Sequence, residues 1–378
     1  MVLSDEHIIY LVLKFLTFLI FIFSGKKMSK SKTDTNYWKI AFFPIVAFTL
    51  NEGLRWGRGV DYNLYYNTFE QMVNTGLIEG FEPLWTVFIY SIGVLLGLPW
   101  QIAVIMMSFF LIWAALFFFK DYRDVLMYVL PLFYIVVNIA ETLARWYFAF
   151  SFVLLGMALM NKKKIFWYLC LIGAVAIHYG FIINVLLFYF IEKWKKPILN
   201  PYVSLIMMLG MYVLFQPEFL GGMLGMFKFL GNVERYEKYE DNLDYWLTGE
   251  GNEYSGISLT VFAIYAITIF YGRKLLSEDN TKLTSVYNFA VVGMILSPAL
   301  LQIELGVRIC SVLSFFYVVI FGYILKQSFS HSNNKGALPF VFAFLFLLLI
   351  LRLEIQKPFE LEKDEVLYIW DSKGRGSL

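Results

Sequence analysis

The sequence predicts an all-α, polytopic integral membrane bundle, on three observations. Of its 378 residues, 59% are hydrophobic. Only 16% are charged. Apolar runs of membrane length recur from about residue 7 to residue 351. A soluble domain is about 45–50% apolar and about 25% charged, so the excess apolar surface must face lipid. This excludes a cytosolic enzyme, a secreted disulfide scaffold and a nucleic-acid-binding module. Thirty-one basic and 29 acidic residues give a net charge of +2, too balanced for a polyanion-binding face. The two cysteines, Cys170 and Cys310, both lie in apolar stretches and offer no disulfide framework or thiolate metal site.

The runs come in order. The first, 7–24, follows an acidic segment with no basic n-region or small-residue cleavage site, and reads as a retained helix; Lys14 within it either snorkels or faces the bundle. The second, 38–53, leads into a segment at 54–81 that is not lipid-like. There Tyr62, Tyr65, Tyr66, Phe69, Met72 and Val73 recur at helical spacing among amides and acids, which suggests a helix lying in the interface. Runs follow at 82–98, 101–119, 124–139, 142–160, 165–191, 198–215, 257–272, 284–303, 309–325 and 337–351. With roughly 20 residues per span, the chain holds about 11 to 13 membrane segments. The expected organisation is one transmembrane domain over 1–351, an outer loop at 216–256 and an outer tail at 352–378.

Lys and Arg concentrate in short connectors at 26–32, 120–123, 162–164, 193–196, 273–282 and 326–335, which the positive-inside rule places in the cytoplasm. Parity then requires one run before Lys162 not to cross. The best candidate is 82–98, opened by Glu82-Pro83 and closed by Gly97-Leu98-Pro99, read as re-entrant or interfacial. The run 165–191 has basic residues at both ends, so it reads as a short helical hairpin with His178 at its outer tip.

Charges at membrane depth are functional candidates, and with this topology they fall on the outer side. Arg55, Arg58 and Asp61 follow the second run, Glu141 and Arg145 begin the 142–160 run, and Glu304 and Arg308 lie between two late runs. Arginines placed against the positive-inside bias suggest an anion held at the outer face. The bland alternatives are intrahelical i,i+4 pairs for Glu141/Arg145 and Glu304/Arg308, a headgroup anchor for Arg58 and a hydrogen-bonded core residue for His178. The outer loop carries Tyr236, Tyr239, Tyr245, Trp246 and Tyr254 among carboxylates. Aromatic faces edged with acids and amides suit sugar rings, and an interfacial aromatic belt is the bland reading. Walker A, His-Glu-x-x-His and Gly-x-Ser-x-Gly sequences do not occur, and the outer acids are too scattered for a metal site.

Arg55-Trp-Gly-Arg-Gly59-Val-Asp61-Tyr62-Asn-Leu-Tyr65 resembles the Arg-x-x-x-Gly-Thr-Asp-Tyr-x-x-Tyr signature of the EpsG family of bacterial exopolysaccharide and O-antigen polymerases. Glu82-Pro83, the Asn138 to Arg145 spacing, the Lys162–Lys164 turn, Ala176-Ile-His178 and Arg308 resemble further elements in family order, over roughly residues 8 to 325. Val60, Trp146 and Tyr179-Gly180 depart from it. The resemblance implies a GT-C-like glycosyltransferase architecture and a Wzy-like enzyme, metal-independent and without cofactor. Such an enzyme joins undecaprenyl-pyrophosphate-linked oligosaccharide repeat units, as donor and acceptor, at the outer face of the cytoplasmic membrane. A flippase and a chain-length regulator are expected partners besides the lipid itself. Arg145 and Arg308, with Arg55, are the expected pyrophosphate ligands, because a guanidinium binds phosphate oxygens bidentately. His178 and Asp61 are the two candidate bases for the attacking hydroxyl, and the sequence leaves both open. Glu141, Glu304, Tyr62, Tyr65 and Glu82 are supporting residues. The rival readings are a lipid-linked oligosaccharide flippase or transporter, with cations along a path open to both faces, and an O-antigen ligase, with a more basic outer loop.

Overall fold

The computed structural model describes residues 4–59, 61–76, 80–160, 163–214, 259–276, 281–300, 304–330, a few positions between 341 and 348, and 366–371. Among them the regular structure is helical and no strand occurs. The expected outer loop at 216–256 lies outside the described residues, as do most of the 337–351 run and the tail over 352–365. Three stretches, Asp5–Met28, Trp100–Val136 and Gly306–Phe329, are long and apolar enough to cross a membrane by length and composition. The described residues fall into two units, one of residues 1–185 and 336–378, the other of residues 186–335.

The first unit opens with α1 (Asp5–Met28), capped by the Ser4 hydroxyl, and α2 (Asp34–Gly53), capped by Thr33. Both caps accept from a backbone N–H of the first turn, which has no intrahelical partner. Lys14 is 5% exposed and therefore faces the bundle. After α2 come α3 (Tyr62–Thr75) and α4 (Pro83–Tyr90), the latter continued by one π-turn over Ser91–Leu95. Pro83 starts α4 at a position where its missing N–H costs nothing. Gly97, at φ 62°, turns the chain toward α5 (Trp100–Phe119).

α2 and α5 lie antiparallel with both ends pinned. At one end Asp34 accepts from Lys120 Nζ at 2.9 Å and forms an ion pair with Arg123. At the other the Gln101 amide donates to the Gly53 carbonyl and, at 3.1 Å, to the Arg55 carbonyl. The intervening chain, α3 and α4 included, therefore leaves and rejoins the pair at the same end. Thirteen helical residues in α4 and its π-turn rise about 20 Å, short of the ~30 Å hydrocarbon core.

A 3₁₀ turn over Lys120–Val125 leads to α6 (Leu126–Val136), and a second over Val137–Glu141 leads to α7 (Ala144–Leu159). Phe21 of α1 lies against Phe48 of α2 and Phe133 and Tyr134 of α6, which centres the core on aromatic rings. α8 (Lys164–Ile177) packs on α7 and α4 and stops at His178, whose backbone is extended at φ −151° and ψ 108°. A 3₁₀ turn over Tyr179–Phe181 begins α9 (Ile182–Glu192). The helix break thus falls at His178, the residue expected at the tip of the hairpin.

The second unit holds the end of α9 with α10 (Pro201–Leu214), α11 (Leu259–Lys274), α12 (Thr281–Leu300), α13 (Glu304–Ser314) and α14 (Tyr317–Ser330). The run read as one stretch over 309–325 is two helices that turn at Phe315-Phe316. Phe188, Phe289 and Phe316 form its aromatic centre. Asn288 is fully buried in α12. Its Oδ1 accepts from Ile198 N, and its Nδ2 donates to the Trp194 and Lys196 carbonyls at 3.3 and 3.0 Å, tying the basic connector to the helix. Each backbone group left unpaired in a buried site costs about 1–3 kcal/mol. Asn288→Ala is therefore expected to lower unfolding free energy in detergent by more than about 2 kcal/mol. Thermal unfolding within error of the wild type would show that the connector does not depend on this side chain.

Candidate functional site

The last turn of α2 carries Asn51 and Glu52, both about 5% exposed although their chemistry belongs in water. They are tolerated because each has polar partners. Asn51 Nδ2 donates to Glu52 Oε1 at 2.9 Å, and Glu52 Oε2 lies 3.6 Å from Arg55 Nη1. The loop that follows turns back over this end of the helix. Arg58, only 1% exposed, donates to the Asn51 carbonyl at 3.0 Å and pairs with Glu141 at 3.4 Å. Its guanidinium lies over the rings of Tyr10 and Tyr368, 5.1 and 4.6 Å from their centroids. The turn depends on Gly59, at φ 101°, where an added Cβ would overlap the Glu141 carbonyl oxygen. Burial alone would raise the Glu141 carboxyl, but Arg58, then Lys14 and Arg55, outweigh it and hold the group well below the usual carboxylate range. A depressed folded value gives stability that is present above the unfolded carboxylate pKa and lost as pH falls through the folded one. The Arg58–Glu141 pair therefore survives mild acidification.

A second cluster is built on Glu82, which caps the start of α4 and is 4% exposed. Its Oε1 accepts from Arg145 Nη2 at 3.2 Å and from the Tyr179 backbone N–H at 2.9 Å, and its Oε2 lies 3.0 Å from the same Arg145 nitrogen. The Arg145 guanidinium sits among Tyr65, Phe81 and Trp85, 5.2 to 5.5 Å from each ring. His178 Nδ1 is 3.9 Å from Glu82 Oε1 and accepts the Gly180 backbone N–H at 3.1 Å. A backbone amide can only donate, so Nδ1 carries no proton while this bond stands, and the neutral ring holds its proton on Nε2. The ring is also T-stacked on Trp146, with centroids 5.0 Å apart.

Tyr65 joins the two clusters, since its ring faces Arg145 and its hydroxyl donates to Asp61 Oδ2 at 3.3 Å. Beside Tyr65 lies a narrow cleft of about 10 Å³, room for about one water molecule. Arg55, Arg58, Asp61, Tyr62, Tyr65, Trp100, Glu141 and Thr142 are among its lining residues. Tyr62 is held by a hydrogen bond from its hydroxyl to Gln101 Oε1 at 3.4 Å.

Of the residues expected from sequence, Arg55, Asp61, Tyr62, Tyr65, Glu141, Glu82, Arg145 and His178 all belong to these connected clusters. Arg308 lies on α13 in the second unit, and Glu304 begins that helix. Two bland readings are corrected. Glu141 and Arg145 do not pair, because Glu141 ends a 3₁₀ turn and Leu143 interrupts the helix before α7, so the i,i+4 geometry never forms. Arg58 is no headgroup anchor, being enclosed by Glu141, Tyr10 and Tyr368. Sequence reading missed Asn51, Glu52 and Gln101. Their signal was a polar side chain within or closing an apolar run.

Breaking a buried ion pair by removing one partner costs roughly 3–5 kcal/mol, whereas replacing both by apolar groups is often neutral. Glu82→Gln is thus expected to destabilise the protein by about 3 kcal/mol or more, and adding Arg145→Met should recover most of that loss. Additive losses in the two single and one double variant, measured by thermal unfolding in one detergent, would show that the pair is not coupled.

A search of curated proteins and a search of solved structures found no match. Residues 35–359, most of the chain, match the EpsG family. With its helical, lipid-facing architecture and its polar clusters at the ends of apolar helices, the chain belongs to the EpsG family of Wzy-like polysaccharide polymerases.

Proposed function

We propose that the protein joins undecaprenyl-pyrophosphate-linked oligosaccharide repeat units at the outer face of the bacterial cytoplasmic membrane, by glycosyl transfer in the cleft beside α3. The observation that carries this reading is the family match, in a chain whose buried arginines and carboxylates gather near α3. Tyr62, Tyr65 and Trp100 line the cleft with Asp61 and Arg55, a set of aromatic faces and polar edges that suits sugar rings. The arginines supply positive charge where a diphosphate leaves.

The acceptor's sugar hydroxyl attacks the anomeric carbon of the donor's first sugar. A new C–O bond forms, the bond from that carbon to the pyrophosphate oxygen breaks, and the lipid pyrophosphate departs with the electron pair. Arg55 and Arg145 receive that charge, with Glu82 and Glu141 orienting cations near them. The hydroxyl proton goes to Asp61. The choice of Asp61 over His178 rests on the Gly180 N–H bond to Nδ1. A neutral ring so held bears its proton on Nε2 and is a donor there, so His178 is assigned to hydrogen-bond the substrate instead of deprotonating it.

The topology proposed with this function keeps 82–98 on the outer side and exposes the 178–180 turn there. With Cys170 and Cys310 replaced, Tyr179→Cys should react with a membrane-impermeant thiol reagent from outside and Lys163→Cys should not. The reverse pattern would invert the topology.

The deciding experiment combines purified protein with a defined undecaprenyl-pyrophosphate-linked repeat unit and reads the product as a ladder of lengths. Removal of a general base costs about 10²- to 10⁴-fold in rate, and Asp61→Asn is expected in that range. His178→Gln keeps a donor and should stay within about tenfold of wild type. An inactive His178→Gln with an active Asp61→Asn would exchange the two roles. Transport of the lipid-linked unit across vesicles without a ladder would make the protein a flippase, and transfer only onto a lipopolysaccharide core would make it a ligase.

A further inference from the structure

The matched family region ends at residue 359, yet residues 366–371 pack against the arginine loop. The Trp56 N–H donates to the Leu367 carbonyl at 3.0 Å, and the Ile369 N–H donates to the Leu54 carbonyl at 3.1 Å. These two bonds pair the C-terminal segment antiparallel with 54–56, across Arg55 and Tyr368. The Asp371 carboxylate accepts the Tyr368 backbone N–H and closes the turn of the segment on itself. The side chain of Tyr368 then reaches inward, with 1% of its surface exposed. Its hydroxyl donates to Asn51 Oδ1 at 2.7 Å, its ring covers the Arg58 guanidinium, and its outer face is stacked on Trp370 at 4.7 Å. Val366 and Tyr10 complete a small apolar cluster beside it, with Leu54 packed against the edge.

We propose that the segment 366–371 is a structural wall of the arginine loop and that Tyr368 is a positioning residue, which acts through Arg58 to hold residues 54–61 in the cleft. Two features support this over simple packing. The ring presents its π face to a desolvated guanidinium, where such contact is strongest. The hydroxyl ends on Asn51, the same residue whose carbonyl receives Arg58, so one side chain fixes both ends of the turn. Tyr10, the second ring over Arg58, also lies outside the matched family region. The consequence for activity rests on the polymerase reading, whereas the seating of the loop does not.

The test uses the full chain with Cys170 and Cys310 replaced and Leu54→Cys introduced, purified in detergent. The rate of labelling by N-ethylmaleimide reports how firmly the loop is covered. Ending the chain after residue 365 should raise that rate by more than about tenfold. Tyr368→Leu keeps apolar volume but removes both the π face and the hydroxyl, and should also raise it, while Tyr368→Phe, which loses only the hydroxyl bond to Asn51, should raise it by a smaller factor. In the ladder assay, in chains without Leu54→Cys, Tyr368→Leu should lose about tenfold in rate and Tyr368→Phe should lose less than that. Equal labelling rates with and without the segment would overturn the proposal, and so would Tyr368→Leu behaving as the parent. A wild type that makes no ladder removes the polymerase reading, and the labelling series then decides the role of Tyr368 alone.

Discussion

The Glu82–Arg145 ion pair is the contact on which the arrangement of the site depends. A charge removed from water must bring its counter-charge with it, because an unpaired ion in a low-dielectric interior is several kcal/mol worse than a paired one. Glu82 sits at the start of α4, Arg145 in the first turn of α7, and Tyr179 just after the break in α8. One carboxylate therefore brings together three elements that are far apart in sequence. The same rule arranges the neighbouring cluster, where Glu52 answers Arg55 and Glu141 answers Arg58. Each of these guanidinium groups thus has a carboxylate within 3.0 to 3.6 Å.

The two clusters differ in what they hold still. Around Glu82 the partners are backbone and aromatic, so the geometry is fixed by packing on all sides. Around Arg58 the partners come from both ends of the chain, and the turn between α2 and α3 is shaped by Gly59 against the Glu141 carbonyl. Tyr65 is common to both. A shift of α3 would move its ring relative to Arg145 and its hydroxyl relative to Asp61 together.

Much of this was legible in the sequence because lipid makes polar residues conspicuous. Arg55, Asp61, Glu82, Arg145 and His178 stand out against apolar runs, and α3 shows its buried face through the spacing of Tyr62, Tyr65, Phe69 and Met72. Basic connectors and parity singled out 82–98, and the chain leaves α2 and enters α5 at the same end. Pairing was not legible. Spacing alone joined Glu141 to Arg145, whereas a single non-helical residue, Leu143, redirected both to partners 83 and 63 residues away. The role of Tyr368 had no local signal at all, since its partner Asn51 lies 317 residues earlier.

That separation bears on how the protein is made. α1 and α2 are synthesised first, and Tyr10 is at hand when Arg58 emerges, but Glu141 follows only with the turn after α6. The second ring over the guanidinium, Tyr368, arrives more than 200 residues later still. Until then one face of a charged side chain at the membrane boundary has no protein to cover it. The arginine turn is thus an early part of the chain that takes its final shape only after residue 368 has been made.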